Sequence, residues 1–126
     1  MSRCIDLFID SPAPLDELAA TLGTLSGLSF IGSAEGTHWG VRDGEGFAEL
    51  AEHDFDDDRQ LVVSKYRYDL FARVESGSAA EGASVLMLRR IFAALKADGT
   101  HPALLVFDLQ HVLDRVAGGA LPDGSR

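Results

Sequence analysis

The sequence predicts an α+β domain, an antiparallel or mixed sheet of five to six strands with two main helices packed on one face. Three observations favour this class. Residues 79–98 carry apolar side chains at helical spacing over the longest such stretch of the chain. A second, shorter helical stripe lies near the amino terminus. Between the two helices, short apolar runs end at glycine and aspartate, as is typical of strands joined by turns.

The first two predicted elements are a strand and a helix. Residues 4–9 alternate in hydrophobicity, which predicts a strand. Its core-facing residues are expected to be Ile5, Leu7 and Ile9. Proline and acidic residues then predict a helix over residues 14–25, ending at Gly23 or Gly27. The apolar stripe of this helix consists of Leu15, Leu18, Leu22 and Leu25.

The middle of the chain predicts several short strands. Residues 28–31 and 37–42 are expected to be strands, and Asp43-Gly44 is expected to form a hairpin turn. Residues 47–55 are ambiguous, because their apolar spacing also fits a helix. We predict a strand there, because a hairpin turn precedes it.

The second half of the chain predicts strand, helix and strand. Residues 61–74 are expected to form one long strand or two strands, with Tyr66 and Tyr68 on one face. The helix at 79–98 follows, and then a buried strand at 103–107. The apolar spacing of residues 109–116 fits a short helix, and an alternating hairpin through residues 112–116 stays open as the alternative. Residues 1–126 are predicted to form a single domain, with 118–126 as a loose tail.

Composition limits the classes of function. The one cysteine, Cys4, excludes an internal disulfide and a multi-cysteine metal site. No stretch reaches the roughly 20 apolar residues needed to span a bilayer. Residues 1–10 are too short and too acidic for a secretory signal, so a cytoplasmic protein is expected. The net charge of −9 disfavours nucleic acid and anionic membranes as partners.

An acidic block without lysine or arginine separates Arg42 from Arg59. Its members are Asp43, Glu45, Glu49, Glu52, Asp54, Asp56, Asp57 and Asp58. One interpretation is a solvated edge that resists aggregation, and the other is a docking surface for a basic protein. Asp54, Asp56 and Asp58 also have calcium-loop spacing, but Arg59 stands where that loop needs glycine.

No complete catalytic or cofactor motif occurs in the sequence. It contains neither a nucleophile elbow nor a phosphate-binding loop, and the four histidines form no close zinc pair. We therefore predict no cofactor, no metal and no catalytic residue. Among the aromatic residues, Trp39 and Tyr68 are the candidate anchors of a protein interface.

The opening run from Cys4 to Asp10, followed by Pro14-Leu-Asp-Glu-Leu18, resembles the start of small bacterial immunity proteins. The Trp39-Gly-Val-Arg-Asp-Gly44 hairpin, with a later helix and a final apolar strand, is similar to theirs as well. The resemblance covers the layout of about the first 107 residues. It implies a small, acidic, cytoplasmic protein that neutralises a cognate toxin by binding it, and it assigns no site residue.

These observations favour a non-enzymatic protein-binding domain, an immunity protein for a basic toxin. The alternative is a small enzyme or ligand-binding protein with a pocket between sheet and helices. In that alternative His38, His53 or Tyr66 would act as the acid–base group. A homodimer that forms through an exposed sheet edge stays open as a third hypothesis.

Overall fold

The computed structural model describes residues 2–53, 63–75, 79–107 and 111–116. The helices are α1 (Leu15–Ser26) and α2 (Ala79–Asp98). The strands are β1 (Ser2–Ile9), β2 (Phe30–Gly32), β3 (Trp39–Asp43), β4 (Gly46–Glu52), β5 (Tyr68–Glu75), β6 (Ala103–Phe107) and β7 (His111–Val116).

All described strands belong to one antiparallel sheet in the order β2-β3-β4-β5-β1-β6-β7. Both helices pack on the same face of this sheet, called here the inner face, and the opposite face is the outer face. The predicted α+β class is confirmed. In the described part of the chain the sheet has seven strands, because residues 111–116 pair with β6 as a strand. The sequence alone left helix and strand open at that position.

The main core lies between the inner face and the helices. Strand β1, which lies between β5 and β6, contributes Ile5, Leu7 and Ile9, as its alternation predicts. The helices contribute Leu18, Ala19, Leu22, Met87, Leu88, Ile91, Phe92 and Leu95. Burial of these side chains is the main force that holds the two layers together.

Helix α2 approaches strand β4 so closely that a Cβ atom at one position of the strand would clash with the helix backbone. A Cβ atom on Gly46 would lie 2.7 Å from the carbonyl oxygen of Ala83. Beside this contact, the backbone N–H of Phe47 donates to the hydroxyl of Ser84 at 3.2 Å. The hairpin turn before β4 forms as predicted, with Gly44 at a φ of 62°.

Several predicted boundaries agree with the structure. Helix α2 spans the predicted residues, and α1 ends at Gly27, whose φ of 78° is left-handed. The ambiguous stretch after Gly46 is a strand as far as Glu52. Residues 54, 55 and 118–126 lie outside the described residues, and so does the start of the stretch predicted at 61–74.

The prediction of strand through Ser64 and Tyr66 is wrong. Ser64 and Lys65 form a turn, in which the N–H of Tyr66 donates to the carbonyl of Val63 at 3.0 Å. Strand β5 begins only at Tyr68. Tyr66 therefore packs on the outer face and Tyr68 on the inner face, although the alternation of the sequence predicts one shared face.

Candidate functional site on the outer face of the sheet

The outer face consists of a covered part and an open part. Over the strands β1 and β6, Val63 and Tyr66 cover Phe8, Leu104 and Val106, which are all buried. No such cover lies over β2, β3 and β4 among the residues that the structure describes. The outer side chains of these three strands are therefore candidates for contact with another molecule.

The open part presents two large apolar side chains to solvent. Ile31 on β2 is 73% exposed and Phe47 on β4 is 39% exposed. Gly40 lies between them on β3, opposite Ile31 in the strand register, and a Cβ atom there would lie 3.3 Å from the Phe47 ring. Phe47 therefore rests on the backbone of its neighbouring strand. The open surface is defined here by Ile31, Gly40, Arg42, Phe47 and Glu49.

Phe47 forms a ridge between two shallow grooves. The groove towards β2 has a volume of about 410 Å³ and includes Ser29, Ile31 and Glu49 in its lining. The groove towards β5 has a volume of about 290 Å³ and is lined by Phe47, Glu49, Phe71 and Ala72. A partner could therefore place side chains on both sides of the ring.

The open surface carries one charge of each sign. The Arg42 guanidinium lies 4.8 Å from the centroid of the Phe47 ring, in cation–π contact. Glu49 is half-buried between the two grooves and has no ion-pair partner among the described residues. Its carboxylate is thus placed to receive a cation from a bound partner.

The predicted acidic block does not form one patch in the described part of the chain. Asp43 and Glu45 lie at the turn between β3 and β4, where Asp43 pairs with Arg90 at 3.4 Å. Glu52 lies at the opposite end of β4, roughly 20 Å away by strand geometry, and pairs with Arg67 at 2.9 Å. Of the four members that the structure describes, only Glu49 lies on the open surface. The remaining members, Asp54, Asp56, Asp57 and Asp58, lie outside the described residues.

The two predicted aromatic anchors lie on the inner face. Trp39 is half-buried, packs against the main core and covers Gly32 on the neighbouring strand. Its Nε1 is buried without an acceptor among the described residues. Tyr68 is fully buried, and its hydroxyl donates to the carbonyl of Ala13 at 2.6 Å. Tyr68 thus has no exposed surface in this conformation, whereas Trp39 retains some.

The three proposed acid–base residues have different surroundings. His38 is exposed before β3 and lines the larger groove. Nε2 of His53 lies 2.5 Å from the carbonyl oxygen of Tyr66, and the His53 ring packs against Phe8. Tyr66 is buried, and this burial raises the pKa of its hydroxyl. A protonated phenol at neutral pH is a poor general base.

A pair of buried carboxyl groups lies near the middle of the sheet. Asp6 on β1 and Asp69 on β5 share the outer face and are diagonal neighbours in the strand register. Both are almost fully buried, and their side chains hydrogen bond to each other. Burial, together with the hydrogen bond and the charge of Asp6, raises the pKa of Asp69 to about 10. Asp69 is therefore protonated at neutral pH.

Sequence reasoning missed Ile31, Phe47 and the carboxyl pair. For Phe47 a signal exists, because a strand that buries Ala48 and Leu50 must turn Phe47 and Glu49 to the opposite face. For Asp6 the signal is the bulky neighbour Phe8, which shares its face.

In the described ranges, no helix has the length and apolarity needed to cross a membrane. No family model, curated protein or solved structure matches this chain.

Proposed function

We propose that this chain is a non-enzymatic protein-binding domain that contacts a basic partner protein through the open surface. In this proposal it is a cytoplasmic immunity protein, and binding neutralises a toxin. The exposure of Ile31 and Phe47 on the same face of the sheet is the observation that carries the proposal. The neutralising role rests on the resemblance of the sequence to small bacterial immunity proteins.

The apolar part of the open surface supports binding of a protein. Single exposed apolar residues are ordinary, but neighbouring ones beside grooves mark contact sites. Burial of one large apolar side chain contributes about 1.5–3 kcal/mol. Burial of Ile31 and Phe47, together with contacts in the adjacent grooves, would supply enough binding free energy for the hot spot of an interface.

The negative charge of the chain supports a basic partner. A net charge of −9 attracts cations over long range and raises the association rate. Close to the surface, Glu49 offers a half-buried carboxylate, and Glu45 offers an exposed one at the hairpin turn. Asp43 and Glu52 contribute less, because each already pairs with an arginine of this chain.

The proposal can be tested by quantitative capture of a partner. Purified wild type, Ile31→Ser and Phe47→Ser serve as bait for the product of the adjacent reading frame and for the source-cell lysate. Leu86→Ser is the matched control, because Leu86 is 69% exposed but lies on α2, on the other side of the sheet. We expect each open-surface substitution to weaken binding roughly tenfold or more and the control to have no effect.

Co-expression tests the neutralising role separately. Wild type is expected to rescue cells from the toxicity of the captured partner, and Phe47→Ser is expected to rescue them less. Capture that is equal for all four proteins, or the absence of any stoichiometric partner, would contradict the proposed function. Loss of capture without any effect on toxicity would contradict only the immunity role.

A further inference from the structure

Among the described residues, strand β2 forms one edge of the sheet. It has three residues, Phe30–Gly32, and in that part of the chain it pairs with β3 alone. Ile31 and Gly32 are both exposed. An unpaired edge of this kind presents backbone donors and acceptors to any extended chain that approaches it.

The alternation of hydrogen bonds between β2 and β3 shows which backbone groups of β2 are not bonded to β3. The N–H of Ser33 donates to the carbonyl of His38 at 2.8 Å. In an antiparallel ladder the bonded pairs recur at every second residue, so Ile31 is the next residue bonded to β3. The N–H and C=O groups of Phe30 and Gly32 therefore lie in the plane of the sheet and point away from β3. No backbone hydrogen bond from the described residues outside the ladder reaches them.

The side chains at this edge favour an extended, partly apolar segment. Ile31 projects from the middle of β2 on the outer face, where a neighbouring strand would place a side chain beside it. The larger groove begins at the edge, at Ser29 and Gly32, and continues across the sheet to Glu49. A strand added at β2 would therefore bury Ile31 and close one side of this groove.

We propose that an extended basic segment of the partner protein adds to the sheet as a strand beside β2. This inference rests on the proposed function and specifies how the partner binds. Basic character follows from the net charge of −9 and from Glu35 and Glu49, neither of which has an ion-pair partner among the described residues. A second copy of this chain is disfavoured as the occupant, because two copies would repel each other.

Amide hydrogen exchange of the full chain, labelled with ¹⁵N, tests this mode of binding. The probe is a short synthetic peptide of alternating lysine and valine. At a peptide concentration of ten times Kd, we expect exchange at Phe30 and Gly32 to slow roughly tenfold. Exchange at Ile31 is the internal control and should change little, because its N–H is already bonded to β3. The same peptide N-methylated at every residue has no backbone donors and should not protect either position, and a glutamate–valine peptide should bind more weakly.

The outcomes separate the alternatives. Absence of binding, or binding that leaves Phe30 and Gly32 unprotected, overturns strand addition. Protection that rises with protein concentration without peptide identifies a second copy as the occupant and also overturns it. If the peptide fails while Ile31→Ser and Phe47→Ser still abolish partner capture, strand addition is wrong and the proposed function stands. If capture is insensitive to both substitutions, the proposed function fails whatever the peptide does.

Discussion

Replacement of Asp69 by asparagine should change how the stability of this protein depends on pH. Asp69 is buried on β5 and hydrogen bonds to Asp6 on β1. Asparagine has nearly the same shape, and its amide can donate to the Asp6 carboxylate as the protonated Asp69 carboxyl does. The substitution therefore removes a titrating group while it preserves the contact.

The magnitude follows from the raised pKa. The pKa of Asp69 is about 10 in the folded protein, compared with an ordinary value of 3.8. Between these values the folded state holds a proton that the unfolded state has released, so stability falls as pH rises. The slope for one such group is about 1.4 kcal/mol per pH unit. From pH 5 to pH 7, wild type should lose about 3 kcal/mol through this group, which is a large part of the stability of a typical domain.

Urea unfolding between pH 5 and pH 8 measures the effect. Trp39, the one tryptophan, is half-buried and provides the fluorescence signal. The difference in unfolding free energy between wild type and Asp69→Asn cancels the titration of the histidines and the general charge repulsion. We expect this difference to shift in favour of the variant by about 1.4 kcal/mol per pH unit.

Glu45→Gln is the matched control for Asp69→Asn. Glu45→Gln removes an exposed carboxylate at the hairpin turn and should leave the pH slope unchanged. If the difference between wild type and Asp69→Asn is constant from pH 5 to pH 8, Asp69 is not a buried proton carrier.

Three further predictions concern packing, hydrogen bonding and charge. Gly46→Ala should lower the free energy of unfolding by about 1–3 kcal/mol, because its Cβ would meet the carbonyl of Ala83 at 2.7 Å. The control Gly82→Ala, in open space on α2, should instead raise the free energy of unfolding by about 1 kcal/mol. Equal effects of the two substitutions in thermal unfolding would contradict the close packing of α2 on β4. Tyr68→Phe should lower the unfolding free energy by about 1 kcal/mol, because the bond to Ala13 is lost, and unchanged urea midpoints would argue against that bond. The association rate with the partner should fall steeply with salt in stopped-flow measurements; a flat dependence would remove the charge argument for a basic partner.

Elements with strong local signals were predictable from the sequence. Helix α2 has the predicted bounds, because its apolar spacing is long and Gly99, with a φ of 74°, ends it. The Asp43-Gly44 turn was predictable because glycine adopts positive φ without strain. Where two local signals compete, as at β7, the sequence left the answer open. Residues 111–116 form a strand because they pair with the edge of β6.

The candidate site was less predictable than the fold. Tyrosine is a residue type that often anchors interfaces, but Tyr68 is completely buried on the inner face. Asp43 and Glu52 belong to one acidic run, yet strand β4 separates them and arginines from distant parts of the chain pair with both. Sequence proximity therefore overestimates how well charges cluster in a sheet, since an extended strand advances about 3.3 Å per residue.

The sequence by itself determined the local conformation of most described elements and the acidic character of the surface, because periodicity, glycine turns and net charge act within short stretches. Only the tertiary structure decided which part of the outer face is covered and which part stays open. That outcome depends on how the chain after β4 returns: Val63 and Tyr66 cover Phe8, whereas Ile31 and Phe47 stay exposed. The same long-range packing brings Asp6 and Asp69 together, and neither segment alone carries a signal of the other.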